Sequence, residues 1–360
     1  MVQLGKLPIK ILEFQLLWPE KINFSYIFKI AVFISYMTIC AIGMIGHFVY
    51  SYVNDEFTYL NIADDMAGCL ATLSAIYVML VHINNVGSSR ELLQRLSDFT
   101  MHEKPKDVDV LDKHLNFVSV IACVLLYISM FLQWVVGIMS NCPETGEISD
   151  CSFIVTAYLP DPFNIFISPY RQIFMTLQIS SAFICGICAF FCLWIQVCIS
   201  QFIVSRLKHL KFMLKEMLVM NSREKRRRHI KTCVLYQYNI NEIWFDFNNS
   251  SKNIFLIHIT VSPVVMSMIA YQLLYQFKFV NFVHLVVWNL AVLSETLMDT
   301  AYDSIPFDED YETTKDMLLI MKRGKYAMYI SAGDFAICRH VTYMTIMKTM
   351  YSYLTILTKT

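Results

Sequence analysis

The most regularly spaced polar side chains in this sequence lie near its end. Thr342, Thr345, Thr349, Ser352, Ile356 and Lys359 recur at alternating steps of three and four, which is one side of a helix. Tyr343, Met344, Ile346, Met347, Met350, Tyr351, Leu354 and Leu357 fill the other faces. Hydroxyls on a helix either bond back to their own carbonyls or meet a second helix or water. Neither use makes or breaks a covalent bond.

The residue types that do covalent or metal chemistry are present but not arranged for it. The nine histidines form no convincing set of ligands at metal spacing. The run Asp308, Glu309, Asp310, Glu312 lacks the spacing of a calcium loop. Most of the eleven cysteines fall in apolar stretches and read as small core residues. Cys142 and Cys151 are the exception, because they share a polar segment where a disulfide could persist. Asn23-Phe-Ser, Asn248-Asn-Ser and Asn249-Ser-Ser match a glycosylation acceptor pattern, but topology (below) puts them in the cytosol. There is no nucleophile–base pair and no glycine-rich phosphate loop. An enzyme is not expected, and no cofactor or metal is.

The elements that must carry these residues are membrane helices. The 360-residue chain is 56% hydrophobic and 14% aromatic, with 16% charged residues and a mean hydropathy of +0.48. Soluble domains carry about a quarter charged residues. The formal net charge is zero and no basic stripe interleaves with aromatics, so nucleic acid is not an expected partner. Seven stretches reach the ~20 apolar residues a bilayer requires: Ile27–Tyr50, Leu60–Ile83, Leu115–Met139, Gln172–Phe202, Ile254–Gln276, Phe279–Leu297 and Val341–Leu357. The first follows Lys6, Lys10, Glu13 and Lys21 and lacks a small-residue cleavage site, so it is a span and not a signal peptide.

Lys and Arg concentrate before the first span and after the second, fourth and sixth, whereas Ser51–Tyr59 has none and Ser140–Arg171 only Arg171. The positive-inside rule then places the N-terminus in the cytoplasm and the C-terminus outside. G-protein-coupled receptors run the other way. The reading is an all-α membrane protein of seven transmembrane helices. Residues 1–26 form a cytoplasmic tail, 27–202 the first four spans, 203–253 cytoplasmic helical extensions, 254–298 spans five and six, 299–340 a second cytoplasmic segment, and 341–360 the last span with a short outer end.

Two cytoplasmic stretches are expected to fold. No charge interrupts Arg171 to Arg206, a run of about 50 Å as straight helix, and Leu207, Leu210, Leu214 and Leu218 extend its apolar stripe. Ile230, Val234, Ile240, Trp244 and Phe247 lead helically into the fifth span. Glu312–Arg323, acidic at its start and basic at its end before Gly324, reads as a helix with a stop signal. Together these make a cytoplasmic bundle, or helices lying on the membrane.

This organisation resembles the insect odorant receptors. Lys348-Thr-Met-Tyr-Ser-Tyr353 is similar to their terminal Lys-Thr-Ser-Tyr-Ser-Tyr signature, and Ser331-Ala-Gly333 with Phe335 to their Ala-Gly-x-Phe element. Leu318-Leu-Ile-Met-Lys-Arg323 and Leu159-Pro-Asp-Pro-Phe163 with Pro169-Tyr170 resemble further family segments. Ile305-Pro306-Phe307 and Lys325-Tyr326 depart from the usual Trp-Tyr and Gln-Lys-Pro.

The resemblance implies an odorant-tuned subunit of a tetrameric, ligand-gated, non-selective cation channel, held together by a cytoplasmic anchor to which residues 203–253 and 299–340 contribute. Its implied partners are the family's co-receptor subunit, a volatile ligand, membrane lipid and permeating cations. The plasma membrane of a sensory dendrite is the implied location. The short 206–252 segment distinguishes it from the co-receptor, which carries a long insertion there. A ligand pocket in the outer half of the bundle, among spans two to six, would be lined by Leu70, Leu73, Tyr77, Tyr127, Phe131, Met175, Gln178, Met266 and Ile269. Such a lining suits a small, uncharged, mostly hydrophobic volatile. Thr349, Ser352, Ile356, Lys359 and Thr360 would line the pore, with Ile356 at an apolar constriction. The alternative is a gustatory receptor channel, whose terminal Gln-Phe is missing here. A metabotropic receptor would need an extracellular N-terminus, and a transporter would need repeated halves.

Overall fold

The computed structural model describes residues 4–19, 21–53, 59–100, 103–139, 170–219, 222–275, 330–333, 336–338 and 340–359. Its helices are α1 (Lys6–Phe14), α2 (Phe24–Val53), α3 (Tyr59–Ser97), α4 (Val108–Met139), α5 (Tyr170–Val219), α6 (Arg223–Tyr275) and α7 (His340–Lys359). A hairpin of β1 (Ile330–Ala332) and β2 (Ala336–Cys338) immediately precedes α7. Cys142, Cys151, Thr360, the sixth span at Phe279–Leu297 and the helix expected at Glu312–Arg323 lie outside the described residues.

Among the described residues five helices, α2 to α6, are long and apolar enough to cross a membrane. α7 is not one of them. At 20 residues its length suffices, but its hydroxyls and Lys348 dilute its apolar character.

α5 and α6 are 50 and 53 residues long, about 75 and 80 Å of helix, and form a long antiparallel hairpin. His229 Nε2 lies 2.9 Å from the carbonyl oxygen of Met213, which fixes their register. Counting back from that pair sets Ile254 of α6 level with about Cys188 of α5. The apolar run of α5 is therefore shared between two layers. Residues before about 188 lie level with the apolar end of α6, and Phe191, Ile195, Ile199 and Phe202 lie level with its polar part. Those four are 0–1% exposed, buried by protein neighbours. Composition alone cannot distinguish a lipid-facing helix from one covered by protein.

The neighbours complete that second layer. α3 runs beside α6, with Asn85 Nδ2 donating to the Ser250 carbonyl at 2.8 Å and Arg95 Nη1 to Asp246 Oδ2 at 2.6 Å. Trp194 Nε1 on α5 donates to Ser119 Oγ on α4 at 2.8 Å. The segment expected as a tail holds α1, docked into this layer with Ile9, Leu12, Leu17 and Trp18 buried. Its N-terminal amides are capped from α4: Gly5 N–H donates to Asp112 Oδ1 at 2.8 Å and Leu7 N–H to Asn116 Oδ1 at 3.2 Å. A carboxylate at a helix N-terminus also complements its dipole. Buried Arg206 of α5 closes the opposite kind of end. Its Nη2 donates to the carbonyls of Arg95, Leu96 and Asp98 at 2.8–3.0 Å, where α3 stops.

Candidate functional site

The hairpin aims α7. Ile330 pairs with Cys338 and Ala332 with Ala336, and alternation along β1 buries Ile330 and Ala332 while turning Ser331 toward a polar partner. Ser331 N–H and hydroxyl both donate to Asn248 Oδ1, at 2.8 and 3.0 Å. Gly333 N–H donates to the Lys252 carbonyl at 2.8 Å. Gly333 has φ +61°, and a Cβ there would come within 2.8 Å of Leu256 Cδ2. Only glycine meets both demands. Thr342 Oγ1 then donates to the Ile337 carbonyl at 2.5 Å, tying the first turn of α7 to β2.

α7 packs against α6 and buries Ile346 (5% exposed). Another face stays open: Thr345, Ser352 and Ile356 are exposed, with Ile356 at 60%. The hydroxyl protons of the stripe turn inward. Thr349 Oγ1 donates to the Thr345 carbonyl at 2.9 Å and Ser352 Oγ to the Lys348 carbonyl at 2.9 Å. Back-bonding and an open stripe therefore coexist. Each oxygen keeps lone pairs for an outside donor or cation, so the stripe presents acceptors. The side chain of Lys359 lies outside the described residues.

The candidate pocket residues fall into two groups. On α4, Tyr127 and Phe131 stack with centroids 6.4 Å apart, and Tyr127 meets Phe183 of α5 edge-on at 6.2 Å. These two, with Leu73 and Tyr77 of α3, keep 39–61% of their surface exposed. Leu70 and Gln178 are half-buried, and Met266 and Ile269 are buried on α6. The side chain of Met175 lies outside the described residues. Pro263 interrupts the hydrogen-bond ladder of α6 just before Met266. Sequence reasoning missed Tyr36 of α2, whose hydroxyl bonds to the Leu177 carbonyl and lies 3.0 Å from Ser180 Oγ, beside Gln178. It also passed over Asn248 as a glycosylation decoy, since nothing local shows that it receives a strand 83 residues away.

No family model matches the chain, and no curated protein matches it. Solved structures do. The structure of the insect olfactory receptor OR5 from Machilis hrabei in complex with eugenol superposes with a TM-score of 0.75 at 14% identity, covering 98% of this chain and 97% of that one. Another structure of OR5 from Machilis hrabei gives a TM-score of 0.72 at 15% identity, covering 98% and 96%. The chain has the insect olfactory receptor fold. The likeness extends over 98% of the chain.

Proposed function

We propose that this chain is the odorant-binding subunit of a heterotetrameric, ligand-gated, non-selective cation channel, opened by a small hydrophobic volatile and assembled with the odorant receptor co-receptor. The observation that carries the reading is α7: one side is packed on α6 while a stripe of hydroxyl acceptors stays open. A helix in hydrocarbon gains nothing from such a stripe unless it faces water or another subunit. The fold shared with OR5 supports it, and OR5 was solved with eugenol, a small aromatic molecule.

In this reading the chain crosses the plasma membrane of a sensory dendrite seven times. The N-terminus and the α5–α6 extension are cytoplasmic, and the C-terminus is outside. The apolar part of α5 before about residue 188 is in lipid, and the rest is cytoplasmic protein core. Ligand enters among α3 to α6, and the signal reaches the pore through α6, on which both the hairpin and α7 rest. The test is co-expression with a co-receptor subunit and an odorant panel under voltage clamp. Odorant-evoked cation current that requires both chains is expected. Currents unchanged from those of the co-receptor alone, with this chain at the surface, would defeat the proposal.

A further inference from the structure

We propose that the elbow between α1 and α2 binds the cytoplasmic leaflet of the membrane. Phe14, Leu16, Ile22 and Phe24 enter its headgroup layer, and Lys10, Lys21 and Lys29 hold the phosphates of anionic lipid. The proposal rests on the reading that α2 crosses the membrane, and on nothing concerning odorant or current.

α1 ends on a strained residue. Leu17 N–H donates to the Leu12 carbonyl at 2.8 Å and Leu16 N–H to the Glu13 carbonyl at 3.1 Å, the paired closure that ends a helix on a left-handed residue. That residue is Leu16, with φ +62°. Glycine takes this conformation freely, whereas the Cβ of a leucine crowds its own carbonyl. Burial within the chain does not explain the leucine, since it is 36% exposed while Leu17 and Trp18 beside it are buried. An apolar environment outside the chain does.

The height of the elbow identifies that environment. Trp18 lies against His82 of α3, with ring centroids 5.9 Å apart, and Arg90 Nη2 donates to the Pro19 carbonyl at 2.5 Å. His82 precedes Asn85 by three residues, and Asn85 bonds to the Ser250 carbonyl of α6. The antiparallel α6 therefore reaches the level of Trp18 near residue 253, where its uncharged run 254–275 begins. α1 climbs toward this level, because Leu4 N–H at its other end donates to Ser97 Oγ at 3.5 Å. The elbow sits where the proposed hydrocarbon starts.

Its apolar side chains also run on into the lipid-facing side of α2. Phe24, Phe28, Val32, Ile39 and Ile42 share one face of that helix and are 54–84% exposed. Phe14 and Ile22 add side chains 90% and 60% exposed. Lys10, Lys21 and Lys29 are exposed among them, and residues 6–29 hold four Lys against two Glu. Apolar side chains flanked by lysines at the edge of hydrocarbon suit an anionic leaflet. The stem of Lys29 lets its ammonium reach back to the phosphates. α1 packs chiefly on α4 and α5 and α2 on α3 and α5, whereas α7 packs on α6. The elbow thus lies across the bundle from the proposed pore, with lipid and not a sister subunit beside it.

The test uses the full chain in phosphatidylcholine nanodiscs, with and without phosphatidylserine. Spin labels go on Phe14→Cys, Ile22→Cys and Ile39→Cys, and their depth is read from relaxation by oxygen and by a water-soluble nickel chelate. The label at 39 is expected deep in hydrocarbon, and those at 14 and 22 between the headgroups and the first acyl carbons. A label at 39 in water would overturn the membrane reading of α2 itself. With 39 in hydrocarbon, labels at 14 and 22 in water would overturn only the present proposal. Dipolar broadening between labels at 14 on two copies would do the same. Spin-labelled phosphatidylserine should be held over phosphatidylcholine by about fivefold, and Lys10→Gln/Lys21→Gln/Lys29→Gln should lower that preference by about twofold or more. No preference, or one unchanged in the triple variant, would overturn the proposal. Leu16→Gly relieves the backbone, so it should keep or raise the unfolding temperature while moving the label at 22 toward water. A lower unfolding temperature would show that protein contacts hold Leu16, and would overturn the lipid account of it.

Discussion

Asn248 holds Ser331 through a single acceptor oxygen, which receives both the backbone N–H at 2.8 Å and the hydroxyl at 3.0 Å. One side chain of α6 thus fixes the strand that leads into α7. The element that would open a pore is tied to the helix that would carry the ligand signal.

Asn248→Ala should leave both donors of Ser331 without this partner and cost about 1–3 kcal/mol in thermal or denaturant unfolding. Asn248→Asp keeps the acceptor and should retain most of that stability. If Asp proves as damaging as Ala, the amide nitrogen matters and the acceptor account is wrong.

Gly333→Ala meets two separate penalties, a left-handed backbone and Leu256 Cδ2 at 2.8 Å. The backbone part is about 1 kcal/mol or somewhat more. Adding Leu256→Ala should relieve the steric part only, so the double variant should lose less than the sum of the two single variants. Strict additivity in unfolding experiments would show that Leu256 is not the obstacle.

The sequence announced helices well and their neighbours poorly. Long apolar runs mark α2 to α6 because burial in lipid or protein needs the same residues. For that reason the run 172–202 read as one span, although Phe191 to Phe202 lie level with the polar part of α6. α1 went unread because its cap is Asp112, 107 residues beyond Gly5. The stripe on α7 was legible, since period alone defines it. The pocket was not, because Met266 and Tyr127 sit on different helices whose approach no local pattern encodes.

Acid should loosen the α5–α6 hairpin through His209, which lies edge-on to Tyr236 with ring centroids 5.7 Å apart. Burial pushes its pKa below the usual 6.5, and the Arg206 charge works the same way, against an upward pull from Glu103, Asp107 and Glu216. Above 6.5 the ring is neutral in both states and contributes nothing. As pH falls below 6.5 the unfolded chain binds the proton first, so stability declines until the folded pKa is passed. His209→Gln should flatten that part of the melting-temperature profile between about pH 7 and 5. An unchanged slope would assign the acid sensitivity elsewhere.

Truncating Tyr127 or Phe131 to Ala tests the pocket. The two rings stack on α4 and reach α5 through Phe183. If they contact ligand, half-maximal concentrations should shift unequally across an odorant panel, by tenfold for each 1.4 kcal/mol of lost contact. A uniform fall in surface expression, with the ranking of odorants unchanged, would make them packing residues.

The last prediction concerns Ile356, 60% exposed and four residues beyond Ser352 on the open stripe of α7. In the proposed channel an apolar side chain there excludes water from the closed pore. Ile356→Ser should therefore raise basal current in the complex with the co-receptor. Lys359 follows one turn further out. Four ammonium groups around a homomeric mouth would repel cations, whereas fewer copies at a wet, screened mouth are tolerable. The chain expressed alone should thus conduct poorly, and Lys359→Glu should alter cation selectivity or rectify the current of the heteromer. If both variants reach the surface and leave basal activity, conductance and selectivity unchanged, α7 does not line the pore. Its back-bonded hydroxyls would then only reflect packing between helices.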